Sequence, residues 1–126
     1  MSEKVKKLIE FNKTFDIPIG RKPTLLESKD FNLKYNLLKE ELDEYNRACI
    51  NKDMEEVSDA IVDMAYVVFG IVVQHGLTNV FDDMFDEVHK SNMSKLENGK
   101  VLRRSDGKIL KGSEFFKPNL KQFLNG

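Results

Sequence analysis

The chain has 126 residues, 40% hydrophobic and 33% charged, with twenty Lys and Arg against twenty-one Asp and Glu and a formal net charge of −1. One domain of that size buries about two-thirds of its unfolded surface and needs no disulfide or metal staple. The balanced charge excludes both intrinsic disorder and a uniformly basic nucleic-acid binder. No apolar run approaches the roughly 18 residues of a membrane span, and the opening MSEKVKKLIEF carries no apolar signal core. A soluble, cytoplasmic single domain over residues 1–126 is expected, in which the lone Cys49 packs as a small apolar side chain.

Ser2 is placed to cap a first helix with Glu3 in its first turn, anchored by Val5, Leu8, Ile9 and Phe15. The stretch FDIPIGRKPTLL interrupts it through Pro18, Gly20 and Pro23. A second helix is predicted from about Lys29 to Cys49, with Phe31, Tyr35, Leu38, Leu42, Tyr45 and Cys49 at steps of three and four. The third runs from an Asp53 cap to about His75, with Gly76 as its stop, and its second half, AYVVFGIVVQ, is apolar all round and expected to be buried. Thr78 or Asn79 opens a fourth, with Val80, Phe81, Met84, Phe85 and Val88 facing inward. Beyond Lys95 the helical period fails, and Asn98-Gly99 and Asp106-Gly107 turns suit a small hairpin or ordered loop. The end, EFFKPNLKQFLNG, reads as a strap with tucked aromatic residues. The fold class is therefore all-α, a bundle of four to five helices over about residues 2–95 with a basic C-terminal segment over about 96–126.

The net charge conceals a division. From Asp30 to Asp63 there are ten acidic and four basic residues, whereas Lys90 to Lys121 holds nine basic and three acidic. Within the acidic part, Glu41 and Glu44 share one face of the second helix, Glu56 and Asp59 share one face of the third, and Asp63 extends that row. A short link near Ile50 to Lys52 would set the two rows face to face. Most helical acids line solvated faces, but here both rows run into apolar positions: Leu37 and Ala48 on one helix, Tyr66, Val67 and Gly70 on the other. No Lys or Arg is expected at matching phases. Unpaired inward carboxylates cost several kcal/mol each, so cations from solvent would compensate them. An all-oxygen donor set suits Mg²⁺, with Mn²⁺ as a substitute. Mg²⁺ commonly bridges to phosphates, which the basic segment would help to hold.

The pattern EELDE (Glu40 to Glu44) followed by EVSD (Glu56 to Asp59) resembles the signature of the all-α nucleoside triphosphate pyrophosphohydrolases, the superfamily of MazG-like enzymes, dimeric dUTPases and phosphoribosyl-ATP pyrophosphohydrolases. DAIVDMAYVVFGIVVQHGL, FDEVHKSNMSKL and DGKILKG resemble its MazG-like, phosphoribosyl-ATP pyrophosphohydrolase-like branch, so the likeness covers roughly residues 5 to 120. It implies hydrolysis of a nucleoside triphosphate, such as dUTP, to the monophosphate and pyrophosphate with Mg²⁺. It implies Glu41, Glu44, Glu56 and Asp59 as metal ligands, Asp63 in the second shell or on another ion, and Glu40 as the group activating water. Asn92, Lys95 and some of Arg103, Arg104, Lys108 and Lys111 would face nucleotide or phosphate. Such proteins are homodimers or homotetramers, which fits the apolar third helix.

For the remaining residues the bland readings lead. Asn12 and Phe15 either contact a base or pack, with packing favoured. Asp86 and His89 read as helix surface, and His75 as a helix-end cap. Two other function classes compete: a di-metal carboxylate bundle, which needs Glu-x-x-His pairs that this chain lacks, and a non-catalytic helical module binding nucleotide or protein. Nucleic acid is the weakest partner, since an acidic groove repels its backbone.

Overall fold

A computed structural model describes residues 1–125. It is all-helical, with α1 (Glu3–Thr14), α2 (Ser28–Ile50), α3 (Met54–Gln74), α4 (Phe81–Met93) and a final 3₁₀ turn (Lys121–Phe123). Among the described residues there is no named strand, and no helix is long and apolar enough to cross a membrane. Two compact units make up the chain, Met1–Asn79 and a second from Val80 onward. Within the second unit, α4 and its C-cap exchange side-chain hydrogen bonds with the C-terminal segment.

In the first unit, the caps explain where helices start and stop. Ser2 Oγ accepts the Val5 N–H (3.3 Å) and Asp53 Oδ1 accepts the Glu56 N–H (3.2 Å), each satisfying a donor that the first turn leaves without a partner. At the other ends the chain reverses through left-handed residues: Asp16 after α1 (φ 54°), Lys52 after α2 (φ 54°) and Gly76 after α3 (φ 72°). Each reversal carries a bond from two residues beyond the cap back to the third residue before it, Ile17 N to Asn12 O (2.8 Å), Asp53 N to Ala48 O (3.0 Å) and Leu77 N to Val72 O (3.0 Å). Only three residues, Asn51 to Asp53, link α2 to α3, so the two pack as an antiparallel hairpin, and α1 lies on α3.

The core of this unit is Val5, Leu8 and Val73, flanked by Ile9, Phe11, Ile19 and Phe69. The α1–α2 connection is sewn to the end of α3 by Gly20 N to Val73 O (3.0 Å), Thr24 N to His75 O (2.9 Å) and a His75 Nδ1 to Thr24 O contact (2.7 Å). Gly76 must be glycine there, since a Cβ would stand 2.0 Å from the Lys22 carbonyl oxygen.

Several expectations about burial are corrected. Phe15 is 63% exposed, resting on Phe11 rather than anchoring α1 in the core. Phe31, Tyr35, Leu42, Tyr45 and Cys49 on α2 are exposed, because α2 meets α3 through a different side. In α3, Gly70, Val72, Val73 and Gln74 are buried as expected, but Tyr66 and Val68 are not. The fourth helix starts one or two residues late, at Phe81, behind Val80, which makes no side-chain cap bond, and Phe85 is 64% exposed.

In the second unit, Asn98 (φ 50°) and Gly99 (φ 75°) turn the chain between the bridge partners Glu97 and Lys100, and Gly107 (φ 91°) does so between Arg103 and Ile109. The expected loop is thus an ordered pair of turns. Glu97 clasps Ser113 through its backbone N–H and hydroxyl. The terminal strap runs back along α4: Ser91 Oγ donates to Phe116 O (2.8 Å), and the Asn119 N–H donates to Glu87 Oε2 (2.7 Å).

Candidate functional site

The α2–α3 hairpin places acids on both inner walls. Carboxylate oxygens of Glu41, Glu44 and Asp63 all lie within 4.8 Å of one another. Glu41 and Glu44 are one turn apart on α2, and Asp63 meets them from α3 because the antiparallel pairing sets its third turn opposite. Glu41 and Asp63 are half-buried and Glu44 is exposed. Glu41 Oε2 is buried with no hydrogen-bond partner among the described residues. Burial pushes the Glu41 carboxyl up to about 7, helped by a hydrogen bond with Glu44 and by the negative charges of Asp63, Glu44 and Asp59.

Toward the linked end of the hairpin, Glu44 also lines a cleft of about 450 Å³ with Arg47, Ala48, Asn51, Asp53, Glu56 and Asp59. Glu56 and Asp59, expected to face inward, are exposed and line this adjoining space, while Asp63 takes the place opposite Glu41 and Glu44. Asp53 is engaged as the α3 cap, and Glu56 stands in the first turn, where a negative charge complements the helix dipole. Glu40 is exposed on α2, one turn before Glu44.

The expectation that no basic residue shares these phases is corrected twice. Arg47, one turn after Glu44, lines the cleft. Lys34 reaches α3 where Gly70 lacks a side chain, its Nζ 3.3 Å from the point a Cβ would occupy, and burial lowers its pKa. Counting steps from the acids in both directions gives the phase of each, Glu44 plus three for Arg47 and Glu41 minus seven for Lys34, but not the space that each enters.

The remaining candidates are placed as follows. Asn12 is 1% exposed and its amide donates to Pro18 O (3.3 Å), which is the packing alternative. Asn92 is exposed at the end of α4, and Lys95 is half-buried with its carbonyl accepting the Gly112 N–H (2.9 Å). Arg104 is taken by Asp106 through two bonds, Nε to Oδ1 (3.0 Å) and Nη2 to Oδ2 (2.6 Å). Arg103 donates to Gly107 O (3.1 Å), Lys111 lies over the Phe115 ring (4.8 Å to its centroid), and Lys108 is exposed.

An all-oxygen cluster with an unpartnered buried oxygen fits a hard cation and offers no soft ligand. The family model of phosphoribosyl-ATP pyrophosphohydrolase matches residues 8–92. The chain belongs to the phosphoribosyl-ATP pyrophosphohydrolase family. It is accordingly a hydrolase acting on nucleotide phosphoanhydride bonds, and the resemblance noted in the sequence is upheld. The matched span holds Glu40, Glu41, Glu44, Glu56, Asp59 and Asp63, and ends at Asn92, before Lys95 and the basic loop. No curated protein matches the chain.

Proposed function

We propose that this family member cleaves a nucleoside triphosphate between its α and β phosphorus atoms, releasing the monophosphate and pyrophosphate, with dUTP the first substrate to examine. The observation carrying this is the convergence of Glu41, Glu44 and Asp63 oxygens within 4.8 Å around the unpartnered Glu41 Oε2. These three, with Glu56 and Asp59 from the cleft wall, are the residues that would hold Mg²⁺, or Mn²⁺ in its place. The ion would supply positive charge against the charge developing on the phosphates. Glu40, one turn from Glu44 on the same side of α2, takes a proton from the attacking water as its oxygen bonds to phosphorus and the bridging P–O bond breaks. Asn92, Lys95, Arg103, Lys108 and Lys111 remain candidates for nucleotide contact. The protein is proposed to act in the cytoplasm as a homodimer or homotetramer.

Phosphoribosyl-ATP is the second substrate to examine, favoured by the description of the matching family. Incubating the protein with Mg²⁺ and a panel of ribo- and deoxynucleoside triphosphates and phosphoribosyl-ATP, then resolving products by anion exchange, tests the reading. Pyrophosphate and a monophosphate product are expected. Intact nucleotides throughout, or inorganic phosphate alone, would refute it. Replacing Glu41 and Glu44 by Gln is expected to abolish turnover.

A further inference from the structure

We propose that Arg47 is a substrate-contacting residue that binds a phosphate of the nucleotide from the acidic cleft; the inference rests on the hydrolytic reading above. Four carboxylates line this cleft, those of Glu44, Asp53, Glu56 and Asp59, and Arg47 is the one cation among its lining residues. Alone, they would repel a polyanionic substrate, and a divalent ion offsets only part of that charge. Glu44 belongs both to the cleft and to the cluster with Glu41 and Asp63. A phosphate chain bound at that cluster and extending into the cleft therefore passes the guanidinium, which leaves α2 one turn beyond Glu44.

The Arg47 guanidinium is uncommitted despite its acidic neighbours, forming no ion pair or hydrogen bond among the described residues. Arg104 is the opposite case, its planar fork filled by Asp106. Lys111 rests on Phe115. Lys34, the other cation on the hairpin's inner side, sits against Gly70 and is absent from the cleft lining. Arginine presents paired N–H donors that match two phosphate oxygens, which makes it the suitable group for this position. Asn51, on the same wall, offers an amide beside it.

The test uses full-length protein, Arg47→Ala and Arg47→Lys, with three readouts. Calorimetric titration with inorganic tripolyphosphate in the presence of Mn²⁺ measures phosphate binding independently of any base. Electron paramagnetic resonance follows Mn²⁺ binding, and steady-state kinetics follow the best nucleotide of the panel. Arg47→Ala should weaken tripolyphosphate binding about tenfold to a hundredfold, lower kcat/KM in proportion, and leave Mn²⁺ affinity equal or tighter. Arg47→Lys should lie between. Because Arg47 is exposed, the variants should melt like the parent, and Arg47→Lys keeps the question answerable if Arg47→Ala does not. Unchanged tripolyphosphate affinity and kcat/KM in an active enzyme would overturn the role of Arg47 alone. Wild-type protein that binds Mn²⁺ but neither tripolyphosphate nor any nucleotide would overturn it together with the hydrolytic reading.

Discussion

At the scale of single residues, Glu41 holds the most informative position. Its carboxyl titrates near 7 because burial and three neighbouring acids disfavour the charged form. The folded state therefore holds this proton more tightly than the unfolded chain does, so between about pH 4.5 and about pH 7 the metal-free fold loses stability as pH rises. A divalent ion held there as proposed would compete for the same oxygens, so its affinity should rise through that window and then level off. Thermal melts in chelator across this range should show Glu41→Gln more stable than the parent above pH 7 and less pH-sensitive below it. Equal slopes for the two proteins would refute the assignment. Manganese titrations of the parent should show affinity climbing as stability without metal falls. The expectation that the row Leu37, Glu41, Glu44, Ala48 faces inward holds for Ala48 and in part for Glu41, whereas Leu37 and Glu44 are exposed, because the row drifts around α2 away from α3. Asp63 joining Glu41 and Glu44 more closely than Glu56 or Asp59 was not legible in the sequence, because helical phase fixes which side a residue faces but not the sliding register of two helices. Arg47 was missed for a related reason: its phase was countable, but the cleft that gives the phase meaning exists only once α2 and α3 are joined.

At the scale of elements, the helix ends are set by local chemistry, which is why Ser2, Asp53 and Gly76 could be read directly. The three C-terminal reversals share one hydrogen-bond pattern but differ in the residue carrying the left-handed conformation. Gly76 occupies it freely, Asp16 with little strain, and Lys52 against its side chain. Lys52→Gly should therefore stabilise the protein by about 1 kcal/mol, the relief of strain exceeding the added freedom of the unfolded chain. A urea midpoint shifted upward at constant m-value would show this; no shift would mean that Lys52 makes a compensating interaction. Gly76→Ala tests the opposite case. A Cβ there meets both the positive φ and the Lys22 carbonyl, so a loss of about 2–3 kcal/mol or more is expected by the same measurement. Backbone hydrogen exchange should localise that loss to the seam between the α1–α2 connection and the end of α3, where Gly20 and Thr24 are tied. Sequence periodicity placed the helices well, but the apolar steps at Phe31, Tyr35, Leu42 and Tyr45 stay exposed, since such steps show that a helix has an apolar side without saying what it packs against.

At the scale of the whole molecule, that exposed stripe is the unresolved demand of the fold. Only Val5, Leu8, Ala48, Ala60, Val72 and Val73 are buried hydrophobic residues among those described, few for a chain expected to bury about two-thirds of its surface. Phe31, Tyr35, Leu42 and Tyr45 on α2, and Ile61, Val62 and Val68 on α3, stay open to solvent instead. Exposed apolar side chains on two packed helices suit the proposed self-association, in which a second copy of the same chain would supply a matching surface under two-fold symmetry. The net charge of −1 belongs to the same picture: acids gathered on the α2–α3 hairpin and bases on the later segment cancel in sum. They leave no large net repulsion between copies. Sedimentation velocity should accordingly show a dimer or tetramer at micromolar protein. Leu42 is 55% exposed within the chain, so Leu42→Lys has little effect on the isolated fold but would bury a charge in the interface. It should weaken association by about a hundredfold or more. If the carboxylates need the second copy to exclude water from Glu41, turnover should fall in step with dissociation and recover as protein concentration rises. A monomeric parent, or a Leu42→Lys variant that sediments unchanged, would remove the oligomer from this account while leaving the acidic hairpin intact.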